Sequence, residues 1–175
     1  MNYKPFDYGF IILCHSNSTV LAQNTIKSLI RNYPTRPCIC IVDSEFTKQE
    51  IDELKKICLV YKGGKTFTAL INKGMDKATV PWNIVLMAGV WVKPKLDQKF
   101  STFLTNEKDI LYPIADGKCN FVDATLNGLM IHKETFKTIG KIPEDNPLEV
   151  CKLLWALDAI KHGCQFKAIQ GAKIC

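Results

Sequence analysis

The sequence has little arginine and lacks the common signatures of phosphate and metal binding. Arg31 and Arg36 are the only arginines among its 23 basic residues, so nearly all of the basic charge is lysine. No GxxxxGK[ST] loop occurs and no GxGxxG follows a strand-like run, which excludes the usual P-loop and dinucleotide-binding motifs. The cysteines form no CxxC pair and the histidines are scattered, so the spacing of a zinc site is absent. The order of the predicted elements is therefore the main guide to function.

Long apolar runs are also missing. The longest, Ile84 to Val92, is about half of the ~20 residues that a membrane helix needs. The apolar stretch after Asp7 is too short for a secretory signal. We therefore expect a cytoplasmic protein with, at most, peripheral membrane contact. Cysteines in apolar runs, such as Cys38 and Cys40, are expected to be reduced core residues, although a disulfide stays open as the alternative.

What the sequence does contain fits one globular domain. It has 175 residues, of which 47% are hydrophobic and 23% charged, and this suits a single sizeable core. The formal net charge of +6 suits an anionic partner. The lysines are spread along the chain rather than clustered on one element, so no nucleic acid is expected. We expect one domain over residues 1–175, without repeats or linkers.

Strand-like and helix-like segments alternate through the first half. Continuous apolar runs predict buried strands, and apolar residues at helical spacing predict the helices between them. The predicted strands are Phe10–Cys14, Cys38–Val42, Cys58–Tyr61 and Asn83–Met87; the helices run from Ala22 to Tyr33, from a Thr47–Glu50 capping box, and from Phe67 to Ala78. This alternation predicts an α/β domain, with a mainly parallel, Rossmann-like central sheet flanked by helices. Ligands of such sheets bind outside the carboxyl ends of the strands.

The second half is less regular. The predicted helices are Pro94–Leu104, Lys133–Ile139 and a long helix that starts with Pro147 at its first position and closes at Gly163. The predicted strands are Asp109–Ile114 and Phe121–His132, the second interrupted at Asn127-Gly128. The pattern places no further domain boundary here.

Short motifs follow one another in a recognisable order. The first strand runs into His15-Ser16-Asn17-Ser18, and the next helix ends at Asn32-Tyr33-Pro34. The second strand ends in Asp43, and Asn72-Lys73-Gly74 precedes the central strand. Glycines at 128, 140 and 163 divide the second half. This order resembles the family-2-type nucleotide-sugar glycosyltransferases, which have the GT-A fold, over about residues 9–169.

The resemblance implies an enzyme of the hexosyltransferase type. It implies that residues 1–92 bind a nucleotide-diphosphate sugar and that residues 93–175 face a hydroxyl acceptor. In that family the aspartate at the end of the second strand binds the base or ribose, a role that falls here on Asp43. The other implied donor-side residues are His15, Asn17, Asn72, Lys73, Ala88 and Gly89.

The sequence departs from the family at the metal-binding motif. GT-A enzymes carry Asp-x-Asp after the central strand, and its carboxylates hold a divalent ion that bridges the donor phosphates. Counting back from Pro94, the triplet here is Ala88-Gly89-Val90, whose side chains cannot ligate a hard cation. We therefore expect no metal ligands and no cofactor, and Mn²⁺ or Mg²⁺ would need another site. Lysines could supply the positive charge instead, or be ordinary surface residues; these are Lys62, Lys65, Lys73, Lys93 and Lys95.

The position of the catalytic base is also not acidic. Inverting members place a carboxylate just inside the long C-terminal helix, where it takes the proton of the acceptor hydroxyl. Here that position falls on Cys151-Lys152. Glu149 is close to this position, although it could instead cap the helix together with Asn146. Glu144, Asp145 and Asp123 are the other open candidates, and Asp123 comes before Asn127-Gly128, where the sheet could meet the donor sugar.

Each donor-side candidate also has a purely structural interpretation. Asp43 could cap a turn, Asn72 could pack, and His15 could be a satisfied buried histidine.

Two functions therefore stay open: a glycosyltransferase that works without the usual metal motif, and a catalytically degenerate GT-A domain that binds a nucleotide, a sugar or a protein. A third interpretation, an unrelated α/β protein with a similar strand order, has no motif of its own. The sequence does not name the sugar, the acceptor or the oligomeric state.

Overall fold

The computed structural model describes residues 7–15, 19–113 and 127–169. Strands and helices alternate along these residues. They are β1 (Tyr8–Cys14), α1 (Thr19–Asn32), β2 (Cys38–Val42), α2 (Lys48–Lys55), β3 (Leu59–Lys62), α3 (Phe67–Lys77), β4 (Trp82–Met87), α4 (Leu96–Phe103), β5 (Asp109–Pro113), β6 (Leu129–His132), α5 (Lys133–Ile139), α6 (Leu148–Lys161) and β7 (Gln165–Ile169).

The strands form one sheet in the order β3-β2-β1-β4-β6-β5-β7. Neighbouring strands are parallel from β3 to β4, and β5 is parallel to β7. Strand β6 is antiparallel to both β4 and β5, so it runs against the other described strands. The chain first builds outward from β1 to β3 and then returns to place β4 on the other side of β1. This reversal creates a switch point between β1 and β4, where open α/β sheets bind their ligands.

Helices cover both faces of the sheet. Helices α3, α5 and α6 share one core cluster with alternate residues of β1 such as Ile11 and Leu13. Helices α1, α2 and α4 share the cluster on the other face, which includes Phe10, Ile12 and Cys14. The continuous apolar character of β1 follows from this arrangement, because a strand covered on both faces has no polar side. The predicted α/β architecture, with a mainly parallel sheet between helical layers, is confirmed.

Helix α3 lies very close to the sheet because of one glycine. A β-carbon at Gly74 would come 2.4 Å from the Ile11 side chain and 3.4 Å from that of Ile41. Any side chain at this position would therefore push the helix away from β1 and β2. The glycine of the Asn-Lys-Gly motif thus serves packing.

Several predicted boundaries shift in the structure. Helix α4 begins at Leu96 rather than Pro94, because Lys95 has a φ of +69° and cannot be helical. Strand β3 is Leu59–Lys62, so both of its ends lie one residue later than predicted. Residues 121–126 of the predicted strand lie outside the described residues, and the described part of it begins at Leu129. The Thr47–Glu50 capping box is confirmed, with both of its hydrogen bonds.

The predicted start of α6 was wrong by one residue. The helix begins at Leu148 and Pro147 is its N-cap, not its first helical residue. Glu149 is therefore the second helical residue, whereas a capping box with Asn146 requires it to be the third. The helix starts without a side-chain cap at Pro147, and Glu149 is exposed.

The described cysteines are free thiols, and several are buried. Hydrogen bonds with Cys14 and Cys58, together with burial, hold the pKa of Cys40 well above its usual value. Cys40 is therefore a protonated core residue at neutral pH.

Among the described residues, no helix has the length and apolar character that crossing a bilayer requires.

Candidate functional site

The strands on either side of the switch point are joined at their carboxyl ends. The Asp43 amide donates to the Cys14 carbonyl over 3.0 Å, and the Ala88 amide donates to the Leu13 carbonyl over 2.9 Å. The Gly63 amide likewise donates to the Val42 carbonyl over 2.8 Å. These bonds hold the residues that follow β1 to β4 along one edge of the sheet.

Asp43 is the buried carboxylate at this edge. Its side chain is 2% exposed, and its Oδ1 accepts from the Glu45 amide over 2.9 Å. This contact is a local turn, in line with the structural interpretation of the residue. Its Oδ2 lies 3.9 Å from Nδ1 of His15, whose side chain is 38% exposed. A buried carboxylate therefore adjoins an imidazole that water and ligands can reach.

His15 also ties β1 to the segment after β3. Its Nε2 donates to the Lys65 carbonyl over 2.9 Å, and its ring stacks on Phe67 with 4.9 Å between ring centroids. Lys65 itself is exposed. The backbone that carries the Lys65 ammonium is thus held beside Asp43 and the switch point.

Lys65 belongs to a Gly-Gly-Lys-Thr run that joins β3 to α3. Thr66 is the N-cap, and its hydroxyl accepts from the Ala69 amide over 3.2 Å. A β-carbon at Gly63 would come 2.7 Å from Leu70, and one at Gly64 would come 2.6 Å from Ala69. Both glycines let the turn lie against α3. Glycines and a lysine at a strand-to-helix turn were the sequence signal for this segment, although the full P-loop spacing is absent.

Ser44 adds an unused hydroxyl next to Asp43. Its Oγ is buried and has no hydrogen-bond partner among the described residues. A buried hydroxyl without a partner costs free energy unless something else bonds to it. Nothing in the sequence marks this residue beyond its position after Asp43.

The segment at the metal-motif position is fixed by helix α1. The hydroxyl of the buried Thr25 accepts from the Gly89 amide over 3.0 Å and lies 3.0 Å from the Val90 carbonyl, to which it donates. Gly89 has a φ of +99°, a conformation that side-chain-bearing residues rarely adopt. The segment therefore forms a tight turn that is bonded to β1 through the Ala88 amide and to α1 through the Gly89 amide and the Val90 carbonyl.

The same face of α1 continues to hold this segment further along. Asn32 donates to the Val92 carbonyl over 2.8 Å, and the Tyr33 hydroxyl donates to the Lys93 carbonyl over 2.7 Å. The Tyr33 hydroxyl also accepts from the Leu96 amide over 2.8 Å. The Asn32-Tyr33-Pro34 motif thus connects the end of α1 to the segment that follows β4.

Asn72 is occupied by a distant loop. Its Nδ2 donates to the Ile142 carbonyl and to Glu144 Oε1, both over 2.8 Å, while its Oδ1 accepts from the Ile142 amide over 2.9 Å. These bonds use both ends of the amide, so Asn72 fixes the Ile142–Glu144 segment against α3. Lys73, next to it, is half-buried.

The base candidates differ in how firmly they are held. Glu144 is exposed, but its carboxylate is positioned by Asn72. Asp145 and Glu149 are exposed too. Asp123, and Asn17 on the donor side, lie outside the described residues.

The residues present do not fit the usual GT-A metal site. Ala88, Gly89 and Val90 offer no side-chain oxygen, and their turn is bonded to Thr25. Within residues 7–15, 19–113 and 127–169, no group of three or more His, Cys, Asp or Glu side chains is placed to hold an ion. Lys62, meanwhile, donates to the Phe46 carbonyl over 3.3 Å, and Lys93 and Lys95 are exposed.

Comparison with known proteins shows the fold. No protein-family model matches the chain, and no curated protein matches its sequence. Among solved structures, the mannosyltransferase PcManGT from Pyrobaculum calidifontis, in complex with GDP-Man and Mn²⁺, is similar with a TM-score of 0.73 at 9% identity, over 98% of this chain and 59% of that one. S. aureus TarS 1–349 is similar with a TM-score of 0.64 at 12% identity, over 96% of this chain and 59% of that one.

A shorter protein is similar to nearly the same degree. A 4-diphosphocytidyl-2C-methyl-D-erythritol synthase matches with a TM-score of 0.63 at 14% identity, over 96% of this chain and 90% of that one. The chain has a GT-A-like fold. That part of the expected resemblance is confirmed, while membership of family 2 stays a prediction. The chain spans little more than half of the mannosyltransferase and of TarS 1–349.

Proposed function

We propose that the chain binds a nucleotide-diphosphate sugar at the carboxyl edge of its sheet and transfers the sugar to a hydroxyl acceptor. The observation that carries the proposal is the place of Asp43, a buried carboxylate at the end of β2 and beside the switch point. The resemblance to GT-A glycosyltransferases assigns the base or ribose to this position. The similar mannosyltransferase was solved with GDP-Man, which supports a donor of this class.

The proposed donor site needs positive charge for the diphosphate. Lys65 can supply it, because its backbone is held beside Asp43 by the hydrogen bond from His15. A lysine fixed near developing negative charge stabilises the departing nucleotide diphosphate electrostatically. The unused Ser44 hydroxyl is buried, so it can donate to a donor oxygen only if this edge opens when the donor binds. We propose that these residues act in place of the Asp-x-Asp carboxylates, since Ala88-Gly89-Val90 cannot ligate an ion.

Glu144 is the base candidate that we favour among the described carboxylates. Its orientation is fixed by the 2.8 Å bond from Asn72, and a general base must be held in place to receive a proton. In this proposal Glu144 takes the proton of the acceptor hydroxyl, and the acceptor oxygen bonds to the anomeric carbon of the sugar. The bond between that carbon and the diphosphate breaks, and the nucleoside diphosphate leaves. Asn72 then acts as a positioning residue rather than a donor ligand.

A second candidate is a binding module without chemistry. It is favoured by one observation: the segment at the metal-motif position is built into the fold through Thr25. In this case the edge still holds a nucleotide or nucleotide sugar, but nothing is transferred. The two halves of the chain, residues 1–92 and 93–175, would then bind ligands without catalysing a reaction.

The proposal is tested by calorimetry with a panel of nucleoside diphosphates, their sugars and CTP, each with and without Mn²⁺. We expect a nucleotide-diphosphate sugar to bind, and Asp43→Asn to weaken its affinity at least tenfold. Asp52→Asn is the matched control, because Asp52 is exposed on α2. If no nucleotide binds at millimolar concentration, the donor site is wrong. A preference for CTP would indicate nucleotidyl transfer instead.

Turnover separates the two candidate functions. A transferase releases nucleoside diphosphate from the bound sugar donor, slowly to water or faster to an acceptor. We expect Glu144→Gln to lower this rate at least a hundredfold with little change in donor affinity, while Asp145→Asn retains it. Tight binding without any release of diphosphate would favour the binding module.

A further inference from the structure

Helix α6 is apolar on two opposite sides. Its inner side packs on the sheet and on α5, through Cys151, Trp155, Ala156 and Ala159. Its outer side carries aliphatic residues that are 41–58% exposed, namely Val150, Leu153, Leu154, Leu157 and Ile160. We call these five residues the outer stripe. A helix that is apolar all round is normally covered all round.

The spacing of the outer stripe is that of a helix-pairing seam. Val150 and Leu157 are one heptad apart, and so are Leu153 and Ile160. The stripe therefore repeats the a and d positions over two heptads, with Leu154 beside them. Scattered surface apolar residues would not show this period.

The stripe is comparable in size to the largest apolar patch of a typical monomer. Five half-exposed aliphatic side chains on adjacent turns form a continuous patch of roughly 400 Å², and such patches commonly mark interaction sites. A standard interface buries about 800 Å² on each partner. The stripe supplies about half of that area, and its flanking residues can supply the rest. We therefore expect a dimer of moderate affinity.

The charges at the two ends of α6 are opposite. Exposed carboxylates stand at the N-terminal end, at Glu144, Asp145 and Glu149. At the C-terminal end stand the exposed ammonium groups of Lys161 and Lys108 and one carboxylate, that of Asp158, which pairs with Lys161 over 2.9 Å. Lys108 also donates to the His162 carbonyl over 3.0 Å, and the net charge of this end is positive. Two copies of α6 placed antiparallel would bring each acidic end against a basic end, twice, as a two-fold contact requires.

We infer that the outer stripe is the contact surface for a second copy of this chain, with the two α6 helices antiparallel. An anionic bilayer is a poorer occupant, although the chain has a net charge of +6. Glu149 and Asp158 lie beside the stripe, and Lys161 pairs with only the second of these carboxylates. Carboxylates next to an anionic surface repel it. The self-complementary spacing and end charges favour a copy of the same surface.

Sedimentation equilibrium of the intact chain tests the inference. We expect a monomer–dimer equilibrium at 10–200 µM, roughly the range for an interface of this size. Leu157→Asp should shift the dissociation constant at least thirtyfold toward monomer. Ile30→Asp is the matched control, because Ile30 lies on α1 and is 47% exposed, as Leu157 is. The control should dimerise like the unaltered chain, and both variants should melt within a few degrees of it.

The orientation has its own test. Lys161→Gln and Lys161→Glu should weaken the dimer in that order at low salt, and the difference should vanish at high salt. In a parallel pair, Lys161 would face its own copy, and neither change would weaken the dimer in this order.

Other outcomes overturn the inference. A chain that is monomeric at 200 µM, or a dimer that survives Leu157→Asp, contradicts it. So does a monomeric chain that binds phosphatidylserine vesicles through the stripe and loses this binding in Leu157→Asp. Hydrogen exchange gives a second readout: amides of α6 should become more protected as concentration rises, and those of α1 should not.

Discussion

Two aspartates are buried at opposite edges of the sheet, and their surroundings differ. Asp109 begins β5 at the amino edge, where its Oδ2 accepts from Lys167 over 2.7 Å and from the Thr105 and Asn106 amides over 2.6 and 3.1 Å. Asp43 follows β2 at the carboxyl edge, where it accepts from the Glu45 amide and adjoins the half-exposed His15. A buried carboxylate paired with a lysine and two amides is part of the framework. One that adjoins a reachable imidazole and the unused Ser44 hydroxyl is suited to a ligand.

Lys167→Met tests the structural side of this comparison and should have the largest effect. The change leaves the Asp109 carboxylate buried without its cation, which should cost about 3 kcal/mol of the free energy of unfolding at pH 7. Urea unfolding measures it. Lys137→Met is the control, since the Lys137–Glu134 pair is exposed and should contribute little. A loss below about 1 kcal/mol would place Asp109 with ordinary surface carboxylates.

The same variant should show a defined pH dependence. Burial alone would raise the pKa of Asp109, but the hydrogen bonds from Lys167, Thr105 and Asn106 lower it below its usual value. The stabilisation is therefore complete above the unfolded pKa of about 4 and is lost as pH falls through the lower folded pKa. The difference between Lys167→Met and the unaltered chain should shrink from pH 6 to pH 2.5. A constant difference would contradict the carboxylate as its source.

Thr25→Val tests whether the turn after β4 is part of the structural framework, as Asp109 is. The substitution keeps the shape but removes the partner of the Gly89 amide and of the Val90 carbonyl. Leaving these groups unpaired should cost about 2 kcal/mol, measured by urea unfolding. Thr102→Val, at an exposed position on α4, should change stability by less than about 0.5 kcal/mol. Equal effects of the two changes would show that Thr25 does not fix the turn.

Substituting each of the two aspartates should separate stability from nucleotide affinity, with the smallest changes in free energy of the variants proposed here. Asp43→Asn keeps an oxygen for the Glu45 amide, so it should lower stability by less than about 1 kcal/mol. Its proposed effect on nucleotide affinity, a factor of ten, is about 1.4 kcal/mol. Asp109→Asn should do the reverse, reducing stability but leaving affinity unchanged. The comparison fails if both variants affect the same property.

The sequence predicted well wherever the signal was local. The buried strand Cys38–Val42 and the Thr47–Glu50 capping box were both found where expected. Apolar runs and caps depend on residues within one or two turns, so their physics is visible in the sequence. Asp43 was found as a candidate for the same reason, since it directly follows a strand.

The sequence could not predict which polar groups meet across the fold. The sequence left both a donor-side role and a packing role open for Asn72, and it did not indicate the bond to the backbone of Ile142, 70 residues away. Likewise, nothing in the sequence around Thr25 indicates that its hydroxyl bonds to Gly89, 64 residues away. The direction in which a helical side chain points, and the loop that it contacts, depend on how the helices pack on the sheet. That packing leaves no pattern in the sequence around the residue. The outer stripe is similar: its period is legible, but only packing shows which side of α6 is left exposed.

The sequence by itself determined the alternation of buried strands with amphipathic helices, and therefore a mainly parallel sheet. It also showed that Ala88-Gly89-Val90, the triplet expected at the metal-motif position, has no carboxylate. Only the tertiary structure decided that β6 runs against its neighbours, that Asn72 holds a loop, and that one buried aspartate pairs with Lys167 while the other adjoins His15. The reason is physical. Burial and periodicity are properties of neighbouring residues, whereas partners of buried polar groups are set by contacts between segments far apart in the chain.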